Sequence, residues 1–229
     1  MERFSHVAHV HDTRHDIDVS PQRRNLCSWS TTAAAVLIFA LHVLEPEYAP
    51  LGRMLSEYAN GAYGWVMKLV FWLLALSNFA LAVSVWSRAN SVLSKLGVAF
   101  LVLAGCALIG AGLFDMDPIT AKPEDMTAHG FWHGIVAMVG IPSQALAAML
   151  LAFGMTQAGQ AFDFARSPLR IAALLVLAAT AVMFVYVPMT MTEHGIGPLA
   201  GLFNRVIVAT WIYWFIRTAW AARPYRPLK

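Results

Sequence analysis

Six stretches of roughly twenty apolar residues, separated by short clusters of charge and turn formers, constrain this chain more than anything else in it. A bilayer core of about 30 Å is crossed by about 20 apolar residues in a helix, and lipid satisfies no backbone hydrogen bonds, so such runs become transmembrane helices. They extend over Ser28–Leu44, Tyr63–Ser87, Leu96–Phe114, Phe131–Met155, Leu169–Val187 and Leu199–Ala221. Only 13% of the 229 residues are charged, about half the share usual in a soluble domain. The expectation is an all-α integral membrane protein, one bundle of six transmembrane helices over residues 28–221. A polar His- and Asp-rich tail (1–27) precedes the bundle and a short basic tail (222–229) follows it.

The first run follows Arg23 and Arg24 in a way that imitates a signal peptide, but a small-residue cleavage pattern is missing and the preceding tail is long and polar. Cys27 and Cys106 fall in different helices and imply no disulfide framework.

Lys and Arg mark the cytoplasmic ends of spans. Twelve of the 16 basic residues fall on the side of the two termini, leaving Arg53, Lys68, Lys122 and Arg205 on the other. Both termini are therefore expected in the cytoplasm, with the chain in the inner (plasma) membrane. The net charge of +3 reflects this anchoring and gives no ground for nucleic-acid binding.

Acids and histidines sort the opposite way. Glu45, Glu47, Glu57, Asp115, Asp117, Glu124, Asp125 and Glu193 fall on the outer side, with His42, His129, His133 and His194. Depletion of Lys and Arg leaves acids free to accumulate there, but ionisable groups close to hydrocarbon are costly and often functional. His129 and His133, four residues apart, share a helical face and could hold one metal, zinc first among the candidates. A third ligand would come from His42 or His194, with Asp115 or Asp117 to position a water. Ser56 and Glu57 stand just before the second helix, where they can cap free N–H groups; the functional alternative gives Ser56 a reacting oxygen to bind and Glu57 to Arg205 as partner. Gln144 returns to the face of His133 about three turns on, beside Pro142; Asn78 and Thr180 lie at similar depth, and hydrogen bonding between helices is the expected role of all three, with lining a substrate cavity as the alternative. Gly105, Gly110 and Gly112 read as close helix packing.

The runs Pro46-Glu-Tyr-Ala-Pro-Leu-Gly-Arg-Met-Leu-Ser56-Glu-Tyr-Ala, Gly61-Ala-Tyr-Gly-Trp65, Gly112-Leu-Phe-Asp-Met-Asp117-Pro, Gly130-Phe-Trp-His133 and Gly201-Leu-Phe-Asn204-Arg205 together resemble a prokaryotic membrane family catalogued as domain of unknown function 998. The resemblance implies a bundle of about six helices and brings no activity with it. A weaker chemical similarity is to the membrane hydrolases that include alkaline ceramidases and adiponectin-type receptors. There Ser56, Asp115 or Asp117, and the His129/His133 pair would play the catalytic and zinc-binding parts, although this chain has six spans where that superfamily has seven. Two functions follow as expectations. One is a metal-dependent hydrolase acting on a lipid or other apolar substrate, with Arg205, Asn204 and Glu57 binding its polar end. The other is a non-enzymatic transporter, lipid-binding or sensory module, or assembly factor.

Overall fold

The computed structural model describes residues 21–155, 160–192 and 196–221. They form six α-helices, α1 (Pro21–Leu44), α2 (Gly64–Trp86), α3 (Val92–Leu113), α4 (Ala128–Gly154), α5 (Gln160–Thr190) and α6 (Ala200–Ala221), with 3₁₀ segments at Leu55–Asn60 and Pro123–Asp125. The His- and Asp-rich N-terminal stretch, the basic C-terminal tail, Glu193 and His194 lie outside the described residues.

Five helices, α1 to α5, are long and apolar enough to cross a bilayer. This is a multi-pass membrane protein. The sixth helix forms over 22 residues, yet Asn204, Arg205 and Arg217 lower its apolarity and it falls short of that criterion. Exposed tryptophans support the same frame: Trp29, Trp86 and Trp220 sit toward one end of the helices, and Trp65 and Trp132 toward the other, as interfacial belts do.

Helix ends depart from the apolar runs where polar chemistry takes over. The first helix begins at Pro21, seven residues before Ser28, because Pro is suited to a first turn and the following Gln and Arg residues are good helix formers. At the start of α3, Ser91 and Ser94 form a reciprocal capping box, each hydroxyl accepting from the other's backbone N–H at 3.1 and 3.0 Å.

Each helix packs on the next in sequence, and α6 returns to α1, so the six close into a circle. The most buried span is α2, which also touches α6 across the circle; the least buried is α1. Glycines set the close approaches on α3: a Cβ at Gly105 would strike Phe79, and one at Gly112 would strike Trp72. Helices α1 and α2 are pinned in the apolar layer by Ser30 and Thr31, whose hydroxyls meet the Ser77 hydroxyl at 2.7 and 2.9 Å.

Candidate functional site: a roofed apolar cavity

The helix ends joined by the α1–α2, α3–α4 and α5–α6 connections carry nearly all the chemistry singled out in the sequence. Two fully buried carboxylates organise this end. Glu57 accepts from the backbone N–H of Met54 at 2.8 Å and of Ile119 at 3.1 Å, and pairs with the Arg53 guanidinium at 2.9 Å. It thus ties the α1–α2 connection to the α3–α4 connection. Glu45 accepts from the N–H of Tyr63 at 2.7 Å, fixing the start of α2. Gly61 lies against that carboxylate so closely that no Cβ would fit. Beside it, burial first and the Glu45 charge second push the Tyr48 phenol above its usual pKa.

The expected pairing of Glu57 with Arg205 is not the one made. Arg205 instead donates through Nε to His42 Nε2 at 2.8 Å, and through Nη1 to the carbonyls of Arg53 at 2.6 Å and Gly201 at 3.1 Å. Since His42 Nε2 accepts, its Nδ1–H donates to the Ile38 carbonyl at 2.7 Å, which fixes the tautomer. Neither is Glu57 a cap of α2: it caps the 3₁₀ turn before it, and α2 is held through Glu45. Ser56 donates to the Met116 sulfur at 2.8 Å, and Asn204 accepts from the N–H of Leu55 at 3.0 Å.

On the α3–α4 side, Asp117 accepts from both the N–H and the hydroxyl of Thr127, at 2.9 and 2.8 Å, and Thr127 in turn caps α4 through the Gly130 N–H. Asp115 pairs with Lys68 at 2.9 Å. His133 is buried, its Nδ1–H donating to the Phe114 carbonyl at 2.8 Å with its ring edge-on to Phe71, whereas His129 is exposed and packs edge-on to Phe114.

These positions bear on His42, His129 and His133 as zinc ligands, while His194 lies outside the described residues. His42 is committed to Arg205 and the α1 backbone, and His133 has one ring nitrogen committed to Phe114. Among the described residues no three His, Cys, Asp or Glu side chains are grouped to hold a metal. The described residues therefore do not fit a three-ligand zinc centre.

What the sequence did not reveal is the space beneath this polar roof. A cavity of about 500 Å³ runs down the middle of the circle of helices, lined almost wholly by aliphatic, methionine and aromatic side chains, with Ser56, Asp117, His133, Thr192 and Asn204 as its polar lining. Among the lining residues Met126, Gly134, Met138, Pro188 and Met191 are exposed, so its mouth faces outward between α4 and α5 near the roofed end. Pro142 and Pro188 break the backbone ladders of α4 and α5, depriving the carbonyls of Met138 and Phe184, both lining residues, of their usual donors.

A family model described as "Protein of unknown function (DUF998)" matches residues 30–221, nearly the whole helical region. The chain belongs to this family. No curated protein and no solved structure matches it. The match spans all the helices that build the roof and the cavity, including α6.

Proposed function

We propose that this protein spans the inner membrane with six helices, both termini in the cytoplasm, and binds an apolar molecule taken laterally from the outer half of the bilayer. The observation that carries this reading is the apolar cavity with its mouth between α4 and α5, of a size within the roughly 300–1,000 Å³ of small-molecule sites. The asymmetry of Lys and Arg supports the orientation, and α6, whose Arg205 is satisfied within the protein rather than in lipid, is suited to be the sixth span. The roof of Glu45, Glu57, Arg205 and their partners then covers the cavity on the extracytoplasmic side. Metal chemistry is not part of this reading, because the described residues bring no three ligands together.

Gly134 gives the direct test. It lies at the mouth, and a Cβ there would meet nothing within 4 Å. Protein purified in nanodiscs, extracted with organic solvent and analysed by mass spectrometry is expected to release an apolar compound enriched over the bulk lipid, and Gly134→Trp is expected to abolish that enrichment. Equal recovery from wild type and Gly134→Trp would overturn the proposal. Reporter fusions at residues 1 and 229 test the orientation separately.

A further inference from the structure

At the inner end of the cavity lies a group of buried, uncharged polar side chains. Asn78 on α2, Gln144 on α4, Thr180 on α5 and Trp211 on α6 are all more than nine-tenths buried. The Asn78 Oδ1, both polar atoms of Gln144, the Thr180 hydroxyl and the Trp211 Nε1 have no hydrogen-bond partner in the protein. The expected role, hydrogen bonding from helix to helix, is one that these atoms do not perform; Asn78 spends only its amide nitrogen, on the Leu74 carbonyl of its own helix. Ser30, Thr31 and Ser77 perform it instead, on α1 and α2.

Trp211 lines the cavity, and the other three continue the lining faces of their helices just beyond it. Residues three, four and seven apart share a face. Asn78 follows the lining residues Phe71 and Leu74 by seven and four, and Gln144 follows Gly140 and Ile141 by four and three. Thr180 precedes Met183, Phe184 and Val187 by three, four and seven, and Trp211 lines the cavity itself. Asn78, Gln144 and Thr180 thus lie about one turn beyond the deepest lining positions of their helices, and Trp211 is the deepest lining position of its own. An unmade hydrogen bond on a buried group is expensive, so a cluster of them around one space is a site for a partner that supplies the missing donors and acceptors.

We propose that this group of side chains binds a neutral hydroxyl or carbonyl group carried on the end of the apolar molecule that enters the cavity first. Trp211 offers only a donor, Gln144 offers both a donor and an acceptor, Asn78 offers its acceptor and Thr180 its hydroxyl. None carries charge, so a charged group at this depth would find no counter-ion and a plain hydrocarbon would leave these side chains unpaired. The inference rests on the cavity being a binding site, as proposed above.

The test compares dodecane, 1-dodecanol and 2-dodecanone, radiolabelled, for retention by the protein in nanodiscs, with Gly134→Trp nanodiscs subtracting partition into lipid. Wild type is expected to hold the alcohol and the ketone about tenfold tighter than the alkane, the worth of one to two net hydrogen bonds. The near-isosteric pair Gln144→Met with Thr180→Val is expected to bring that ratio close to one while retaining the alkane. Retention of all three probes at equal affinity by wild type would overturn this assignment, as ordered water alone among these side chains would produce, and leave the cavity reading standing. No retention of any probe above Gly134→Trp would overturn both.

Discussion

Replacing Glu57 by alanine removes a fully buried side chain that ties two connections together, and its cost follows from what the carboxylate touches. Two backbone N–H groups, of Met54 and Ile119, lose their acceptor, at about 1–3 kcal/mol for each buried donor left unmade. The Ile119 bond is only partly buried and belongs at the low end. The Arg53 ion pair adds little, because the Arg53 side chain is 31% exposed and an exposed pair is worth roughly 0–1 kcal/mol. The total comes to about 3–4 kcal/mol, which at about 2–4 °C per kcal/mol lowers Tm by roughly 6–16 °C. Thermal unfolding of the purified protein in nanodiscs, followed by tryptophan fluorescence, measures it. Arg53→Met is the control and is expected to cost under about 1 kcal/mol. The reasoning is refuted if Glu57→Ala melts within about 2 °C of wild type, or if Arg53→Met falls as far, since the ion pair and not the backbone bonds would then hold the roof.

Three other outcomes follow from the same contacts. Gly61→Ala is expected to destabilise by about 2–3 kcal/mol, within the usual range for overpacking, because the new methyl meets the buried Glu45 carboxylate; Gly130→Ala, which meets the less buried carboxylate of Asp117, should cost less in the same melting assay. Gly134→Ala should raise stability by about 0.8–1 kcal/mol, the helix-propensity gain at a position where the methyl touches nothing, and a fall in Tm would show that the mouth is packed shut. Arg205→Lys should lower Tm by several degrees despite keeping the charge, since an ammonium cannot serve His42 and the Arg53 and Gly201 carbonyls in the same fork; an unchanged melting curve would argue against that network.

Apolar run length and the distribution of Lys and Arg were enough to give an all-α membrane chain and the place of each helix along it, because a bilayer acts on composition one segment at a time. Helix ends were less legible: α1 starts at Pro21 and α3 at Val92, earlier than their apolar runs, since the first turn of α1 is polar and that of α3 holds Ser94 and Lys95 between its apolar residues and the run. The gathering of acids and histidines at one end was visible in the sequence, but the partners they take were not. His42 meets Arg205 from 163 residues away, Glu57 reaches Ile119 across 62, and the His129/His133 spacing that suggested a metal pair resolves into one exposed ring and one turned onto the Phe114 carbonyl. The sequence by itself determined which segments are apolar enough to form long helices suited to lipid. Only the closing of α6 onto α1 decided that there is a cavity, and that buried polar atoms of Asn78, Gln144, Thr180 and Trp211 are left without protein partners, because a space bounded by several helices is a property of their packing and of no single helix.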